Sequence, residues 1–589
     1  MDSSYRGDTI CLLARTRGAV LGPHMENEII ETGILIIGGG PAGLSAAIHL
    51  ADLVSRHNDA VGSGKSSGSN IPLNVMVLEK AHVLGNHTLS GAIVNPISLR
   101  ELLPDIPDKD MPFESPVLKE DIMLLTKGGS VTLPFHPPYM GNKGNYVASL
   151  GKVVRWLGEI AESKGVQIFT GFSGCELIFE NGKIAGARTG ASGIDKKGSH
   201  LPNYQPPTDI RAKLVILAEG TRGFLAKGLI KQLNLSRNRN PQVYSQGVKE
   251  VWKIPAGAFQ VGHIIHTMGY PLDFTQFGGG FIYGLGKDTV VVGMAIGLDY
   301  KDPTLDPHHA LQIYKRHPFV SKILKNGKIL RYGAKTIPEG GLFAIPQLYH
   351  DNIMIAGDSA GFTAMPSLKG IHLAIQSGML AAKTAFESLK KNDTSAKQLS
   401  LYEELFRKSA AYRELHAVRN FRQGFKANLF FGMLQFGAQI LTGGRGLQLH
   451  EKLVMEEDYK NCLPTKDLEG KTFLEKNKSE LVFDNILTFD KETDLFYSGT
   501  KHNEEQPSHI VVPSAEICRS CIEVHGAPCQ RFCPAEVFKI VSDPQTGEKK
   551  LELSSANCLH CKTCDIKDPF ENAVWNPPYG GDGPKYENM

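Results

Sequence analysis

The stretch "TGILIIGGGPAGLSAAIHLADLV", residues 32–54, contains a buried strand at Ile34–Ile37, a glycine turn and a helix of small residues. Its three glycines have the spacing G-x-G-x-x-G. The first makes the turn, the second admits a pyrophosphate, and the third lets helix and strand pack closely. The helix N-terminus presents unpaired N–H groups to the diphosphate. The loop is therefore predicted to bind a dinucleotide through Gly38, Gly39, Gly40, Pro41, Ala42 and Gly43.

A ribose-binding carboxylate is expected at the end of the second strand. "NVMVLEK", residues 74–80, is such a strand, and Glu79 closes it. The spacing from the glycine loop is long, but the Ser/Gly-rich segment 58–70 accounts for the excess as a surface loop. The alternative is that Glu79 is an ordinary solvated carboxylate at a strand end.

Two later stretches indicate FAD rather than NAD. "KLVILAEGTRG" (213–223) and "NIMIAGDSAGF" (352–362) each run from a strand into a glycine turn, and a helix of small residues follows the second. Gly357 and Asp358 are predicted to bind FAD, with the Asp358 carboxylate at the ribityl chain. A simple strand–turn–helix is the alternative. No second strand–G-x-G-x-x-G–helix unit occurs, so no NAD(P) site is predicted. The set resembles the glutathione-reductase-type flavoprotein fold.

Length and composition set wider limits. A chain of 589 residues is expected to form two to four structural units. A formal net charge of +3 gives no indication of nucleic-acid binding. No run of 18 apolar residues occurs, so a transmembrane helix is not predicted. Residues 1–25 carry three arginines and two aspartates, which is a weak transit-peptide signal.

Seven of the ten cysteines follow residue 517, in the pattern C-x2-C-x7-C-x3-C-P and then C-x2-C-x2-C-x3-D-P. This is the two-half layout of bacterial ferredoxins, in which the Cys-Pro of one half ligates the cluster of the other. One [4Fe–4S] cluster is therefore predicted on Cys533, Cys558, Cys561 and Cys564. The alternatives are a structural zinc site and spare thiols. In the second half of the pattern, Asp568 stands where the fourth ligand of Cys518, Cys521 and Cys529 is expected. These three cysteines are not predicted to bind the cluster; they could bind zinc together or form a labile second cluster.

The chain combines a predicted FAD site, no NAD(P) site and a one-cluster ferredoxin module. In this it resembles the electron-transfer flavoprotein:ubiquinone oxidoreductase family over nearly all of residues 26–589. The stretches that carry the resemblance are "GGGPAGLSAAIHL", "GNHTLSGAIVNP", "LAEGTRGFLAK", "GYPLDF", "FGGGFIYGL" and "NCLHCKTCDIKDP". The resemblance implies that Gly278 and Gly279 line a ubiquinone pocket; a bulge or tight bend is the alternative reason for these glycines. The sequence departs from the family pattern at Phe538, where the resemblance implies a tyrosine that donates a hydrogen bond to a cluster sulfur. Its absence is expected to lower the cluster potential.

Ubiquinone lies in the bilayer, so the resemblance also implies a membrane surface. "FKANLFFGMLQFGAQILTG" (425–443) is short and apolar, follows Arg419 and Arg422, and is typical of an interfacial helix with basic residues at the headgroups. The amphipathic stretch 401–418 is expected to lie alongside. Residues 82–103 are a second candidate that the resemblance suggests. The alternative for both candidates is a core helix.

The predicted fold is α/β plus α+β: a glutathione-reductase-type FAD-binding fold, an inserted quinone and membrane domain, and a C-terminal ferredoxin-like [4Fe–4S] domain. The predicted boundaries are a leader at 1–25, FAD-binding segments at 26–95, 140–235 and 338–395, ubiquinone-binding segments at 96–139 and 236–337, a helical membrane-associated segment at 396–470, and the cluster domain at 471–589.

By this resemblance, electrons pass from reduced electron-transfer flavoprotein through the cluster and FAD to ubiquinone in the respiratory chain. No catalytic side chain is predicted. The expected location is the mitochondrial inner membrane, matrix face, or the cytoplasmic membrane face of a bacterium. The alternatives are a FixC/FixX-like or polyprenyl-reductase-like flavoenzyme, and an electron carrier whose flavin domain is a docking scaffold.

Overall fold

The computed structural model describes residues 28–90, 93–134, 136, 139–448 and 451–589. The predicted leader at 1–25 and Cys11 lie outside the described residues.

Strands occur along most of this length, and we number them in chain order. They are β1 (Glu28–Ile37), β2 (Val75–Glu79), β3 (Ile93–Val94), β4 (Ser115–Pro116), β5 (Lys119–Leu125), β6 (Ser130–Thr132), β7 (Tyr146–Val147), β8 (Gln167–Thr170), β9 (Gly174–Glu180), β10 (Lys183–Thr189), β11 (Ser192–Ile194), β12 (His200–Gln205), β13 (Thr208–Leu217), β14 (Tyr244–Lys253), β15 (His263–Gly269), β16 (Gly278–Gly286), β17 (Thr289–Gly297), β18 (Lys328–Pro338), β19 (Tyr349–His350), β20 (Ile353–Ile355), β21 (Ile510–Val511), β22 (Phe538–Ser542), β23 (Lys549–Leu553) and β24 (Val574–Trp575).

The α-helices are numbered in the same way. They are α1 (Pro41–Gly62), α2 (Ile97–Leu102), α3 (Leu150–Ser163), α4 (Phe224–Gln232), α5 (Pro307–Arg316), α6 (Pro318–Leu324), α7 (Ile371–Lys391), α8 (Ala396–Leu399), α9 (Leu401–Lys408), α10 (Ala410–Ala417), α11 (Phe421–Gly424), α12 (Leu429–Leu441), α13 (Phe473–Asn477), α14 (Lys491–Tyr497), α15 (Ala515–His525), α16 (Cys529–Phe532) and α17 (Cys564–Lys567).

The first sheet is built around β1, which pairs in parallel with β13 on one side and β2 on the other. Its strand order is β19-β20-β13-β1-β2-β8, with β10 and β9 added beside β13. The apolar run Ile34–Ile37 lies in the middle of this sheet and is buried, as a parallel strand covered on both faces requires. Helices α1 and α7 pack against each other on it. Both begin at the carboxyl edge of the strands, where open α/β sheets bind ligands.

The second sheet has seven strands in the order β18-β14-β17-β16-β15-β5-β6. All neighbouring pairs are antiparallel except β15 and β5. Helices α5 and α6 cover one of its faces with buried apolar residues. The other face lies towards the first sheet, so a ligand bound at the strand ends of the first sheet meets the second.

The C-terminal unit packs on both sheets. Helix α14 lies against β18, and α17 begins at Cys564, the last cysteine of the chain. Two short strand pairs, β21 with β24 and β22 with β23, complete the unit. Four of its buried cysteines, Cys533, Cys558, Cys561 and Cys564, belong to the same apolar cluster as the core of the seven-stranded sheet. The predicted fold class, a flavoprotein sheet with a second sheet and a ferredoxin-like unit, is confirmed.

One helix expectation needs correction. The stretch 401–418 is two helices, α9 and α10, because Ser409 ends the first and caps the second by accepting a hydrogen bond from Tyr412 N. Both helices pack on α7, and Phe406 and Leu415 are buried there. One face of this stretch therefore belongs to the core, and its place beside an interfacial helix stays a prediction.

Candidate active site

A cavity of about 300 Å³ lies where the three units meet. The glycine loop before α1 forms one wall, strands of the seven-stranded sheet form the opposite wall, and Lys562 and Trp575 of the C-terminal unit close one end. None of these three walls is close to another in sequence, so the cavity exists only in the folded chain.

The three motif glycines are needed for different reasons. Gly38 has φ +115°, and a Cβ there would lie 2.1 Å from Ala218 O. A Cβ on Gly43 would lie 2.0 Å from Gly38 O, so this glycine allows α1 to approach β1. A Cβ on Gly40 meets nothing within 4 Å, because it points into the cavity. That free space beside the uncapped start of α1 fits a diphosphate.

The two carboxylates predicted for FAD both line this cavity. Glu79 accepts hydrogen bonds from Gly39 N at 2.9 Å and Ala81 N at 2.8 Å, so the carboxylate is held at the glycine loop. Asp358 lies in the turn after β20, and burial raises its pKa to about 6 against the opposing effect of Lys335. Gly357 beside it has φ +63°, a conformation that favours glycine. Six of the predicted FAD residues therefore line one cavity, and the other three are their neighbours in the same two turns; the contacts of all nine with FAD stay a prediction. The six are Gly38, Gly40, Pro41, Ala42, Glu79 and Asp358, and the other three are Gly39, Gly43 and Gly357.

Lysines dominate the charge around the cavity. Burial lowers the pKa of Lys80 and of Lys249 to about 7. A lysine with such a lowered pKa is only partly charged at pH 7, and a bound anion such as a diphosphate would favour its charged form. The lysines that line the cavity are Lys80, Lys249, Lys335, Lys369 and Lys562.

The four predicted cluster ligands line one small cavity of their own. Cys533, at the end of α16, lies there with Cys558, Cys561 and Cys564. All four are buried. Cys533 and Cys558 are 25 positions apart in the chain, and the fold brings them together as the ferredoxin crossover predicts. Their role as cluster ligands stays a prediction.

The geometry of this cavity fits a cubane better than zinc. Four thiolates on one zinc ion lie about 3.8 Å apart, from a Zn–S bond of about 2.3 Å. Within the described ranges, no three cysteine sulfurs lie within 4.8 Å of one another. Two side-chain donors also face predicted ligand sulfurs: the Thr563 hydroxyl lowers the pKa of the Cys561 thiol, and the Trp575 N–H lowers that of Cys558. Such donors suit cluster sulfurs.

Asp568 does not offer a free carboxylate to the second cysteine group. Its Oδ2 accepts hydrogen bonds from Asn572 N at 2.6 Å and Ala573 N at 2.7 Å, and its Oδ1 accepts one from Phe570 N at 3.4 Å. The carboxylate therefore fixes the loop that follows it. It also lies close enough to Cys518, Cys521 and Cys529 to add to the effect of burial in raising the pKa of each thiol. Phe538 is buried in the wall of the cluster cavity and has no hydroxyl to donate, as the sequence indicates.

The two cavities are neighbours. Lys562 lines both of them. Thr336 lines the larger cavity, and its Oγ1 donates a 2.7 Å hydrogen bond to the carbonyl oxygen of Cys561. The structure therefore links a predicted cluster ligand to the predicted flavin site through one hydrogen bond.

Gly278 and Gly279 lie at the start of β16, outside the residues that line the larger cavity. A Cβ on Gly278 would lie 2.5 Å from Ala295 O, and one on Gly279 would lie 2.2 Å from Thr267 O. Close approach of neighbouring strands thus gives a reason for both glycines that involves no ligand. Their quinone role stays a prediction.

Helix α12 has several apolar side chains on its outer face and two glutamines on its buried face. Phe430 is 76% exposed and Leu441 is 88% exposed, whereas Gln435 and Gln439 are buried. The expectation of basic residues at its headgroup side was wrong for the two arginines: Arg419 and Arg422 are buried. Arg422 pairs with Asp299 and Glu339, and Arg419 pairs with Glu451. No described helix is long and apolar enough to cross a membrane.

The segment 82–103 differs from α12. Of its described residues, Val94, Leu99 and Leu102 are buried in the core of the first sheet, and Ile97 and Val83 are exposed. Most of this segment therefore belongs to the core, which was the alternative to a membrane surface.

Several site residues were missed by the sequence analysis. Lys335, Thr336 and Lys562 come from a strand and from the cysteine loop, and His266 comes from the second sheet. No local pattern marks them, because only the fold brings their side chains to the cavity.

The chain was compared with known proteins. A family model described as "Electron transfer flavoprotein-ubiquinone oxidoreductase, 4Fe-4S" matches residues 485–587, and one described as "ETF-QO, ubiquinone-binding" matches residues 244–337. A solved structure of a geranylgeranyl bacteriochlorophyll reductase-like protein from Thermoplasma acidophilum has a TM-score of 0.49 and 18% identity, covering 77% of this chain and 100% of that one. That likeness is too distant to bear on function.

Curated relatives extend over nearly the whole chain. The mitochondrial electron transfer flavoprotein-ubiquinone oxidoreductase of Arabidopsis thaliana is 38% identical, covering 98% of this chain and 87% of that protein. Those of Bos taurus and Homo sapiens are 37% and 36% identical, each covering 96% of this chain and 91% of the relative. The chain therefore belongs to the electron transfer flavoprotein-ubiquinone oxidoreductase family.

Proposed function

We propose that this chain is an oxidoreductase that takes electrons from reduced electron-transfer flavoprotein and passes them through a [4Fe–4S] cluster and FAD to ubiquinone. The observation that carries the proposal is the single cavity walled by the glycine loop, the second sheet and Lys562 of the cluster loop. When bound, FAD exchanges one or two electrons and the cluster exchanges one at a time. This pair serves both a donor of single electrons and a quinone that needs two.

In this proposal Cys533, Cys558, Cys561 and Cys564 hold the cluster. Their common cavity and their burial support the assignment. The backbone N–H of His560 points to Cys558 Sγ at 3.4 Å and adds a hydrogen bond to a ligand sulfur. Hydrogen bonds of this kind tune the potential of a cluster.

The FAD site is formed by the glycine loop, Glu79 and the turn at Gly357 and Asp358. The free space at Gly40 and the excess of lysines in the cavity support it. Gly278 and Gly279 contribute backbone groups to the quinone site, and their position within residues 244–337, the part that matches the ubiquinone-binding family model, supports this.

The protein binds one face of a membrane through α12 without spanning it. The exposed side chains Phe430, Phe431 and Leu434 support this proposal, because burial in lipid is worth roughly 1.5–3 kcal/mol for each of them. Buried Gln435 and Gln439 hold the opposite face of the helix to the protein. We assign the protein to the mitochondrial inner membrane, on the matrix face, in line with the mitochondrial names of the relatives.

The test is reduction of a short-chain ubiquinone by the purified protein, with reduced electron-transfer flavoprotein as the only electron source. We expect turnover, one FAD and about four irons per chain. Turnover with a reduced ferredoxin but not with electron-transfer flavoprotein would replace this proposal by the FixC/FixX-like alternative. A flavin that stays oxidised with either donor would favour the docking scaffold.

A further inference from the structure

The wall of the cavity opposite the glycine loop is aromatic and contains one buried histidine. His266 lies on β15 with 6% of its surface exposed, and the neighbouring strand β16 contributes Phe281 and Tyr283. The His266 and Tyr283 rings meet edge to face with centroids 5.9 Å apart, and the Phe281 and Tyr283 rings stack at 5.0 Å. Flat aromatic walls suit a flat ring as ligand.

The His266 ring makes no hydrogen bond to any residue that the structure describes, although it is buried and lines the cavity. Buried polar groups in folded proteins nearly always have a partner, because a missing one costs about 1–3 kcal/mol. The partner of His266 is therefore expected in the cavity itself.

Burial and the neighbouring positive charges keep the His266 ring neutral. Burial, Lys369 and His136 together lower its pKa to about 3. A neutral imidazole has one N–H donor and one acceptor nitrogen. Lys369 is itself buried, and its Nζ donates to Ser367 O at 2.7 Å, which leaves further ammonium donors for a ligand. Glu120 and Glu414 act on Lys369 and partly offset the effect of burial on its pKa.

We propose that His266 is a positioning residue that donates a hydrogen bond from its ring N–H to one carbonyl oxygen of the quinone head group, with the Lys369 ammonium as a second donor on the same side. The inference rests on the proposed function and adds two side chains to its quinone site. A quinone head is flat, uncharged and carries two carbonyl acceptors, which matches the aromatic wall and the two donors. His266 belongs to residues 244–337, the part that matches the ubiquinone-binding family model.

The test uses two variants and a matched control. His266→Phe keeps the ring and removes the N–H, and His266→Gln keeps a donor. The control is His263→Phe on the same strand, whose ring pairs with Asp121 at 2.7 Å and does not line the cavity. Two quantities are measured: the KM for a short-chain ubiquinone, and the inhibition constant of the matching alkylbenzene, which has the same ring and tail but no carbonyl oxygen.

We expect His266→Phe to raise the quinone KM roughly tenfold, the effect of one lost hydrogen bond, and to leave alkylbenzene inhibition unchanged. His266→Gln should recover most of the loss, and His263→Phe should change neither value. An unchanged KM, an equal weakening of both ligands, or a shifted flavin spectrum with normal quinone binding would each overturn the inference. A wild-type protein that reduces no quinone would instead overturn the proposed function, and this inference with it.

Discussion

At the residue scale, Cys533 tests the crossover between the two cysteine groups. Cys533→Ala should abolish the EPR signal of the reduced cluster and remove most of the iron, because a cubane needs four ligands and no other described cysteine lines that cavity. EPR spectroscopy and iron analysis measure both effects. Cys521→Ala is the matched control and should leave signal and iron nearly intact. The reverse result would mean that the cluster lies on the other cysteine group.

At the element scale, α12 tests the membrane surface. Replacing Phe430, Phe431 and Leu434 together with Ser should release the protein from liposomes, because the apolar area that enters the lipid is lost. Co-flotation with liposomes measures binding, and flavin absorbance shows that the fold is intact. Phe179→Ser, which changes an exposed phenylalanine on β9, is the control and should leave binding unchanged. Loss of flavin from the triple variant would mean that α12 belongs to the core.

At the scale of the whole molecule, one buried carboxylate ties the cluster unit to the FAD unit. Asp565 accepts hydrogen bonds from Arg222 Nε at 2.7 Å and Lys227 Nζ at 2.5 Å, and its side chain is 6% exposed. Asp565→Asn would leave two partly buried cations without their counter-charge. We expect the free energy of unfolding to fall by about 3 kcal/mol, as measured by denaturant titration. Glu552→Gln, an exposed residue on β23, is the control.

The pH dependence of this link follows from the pKa of Asp565. Burial alone would raise that pKa, but Arg222 and Lys227 outweigh burial and hold it below the ordinary 3.8. A carboxyl with a lowered pKa in the folded state stabilises the fold above its unfolded pKa and loses that contribution as the pH falls. The stability difference between wild type and Asp565→Asn should therefore be constant from about pH 5 to 8 and shrink below about pH 4. A difference that grew on acidification would contradict this account.

The sequence determined the parts of the protein that rest on local geometry. A strand, a turn and a helix that are contiguous in the chain must place Gly38 at a positive φ and leave Gly40 open to a ligand, so the dinucleotide loop could be read from its spacing. The cysteine spacing indicated which four residues meet, because the ferredoxin crossover is a property of two short loops. The departure at Phe538 was also visible in the sequence.

Only the tertiary structure decided which distant groups share a cavity. Lys335, Thr336, Lys562 and His266 come from separate strands and loops, and their positions depend on how two sheets and a cluster unit pack together. The buried state of Arg422 depends on Asp299 and Glu339, which lie more than 80 residues away, so a charge pattern read along the chain could not show it. The apolar outer face of α12 has the same cause: periodicity shows which residues share a face, and contacts with the rest of the fold decide which face is buried.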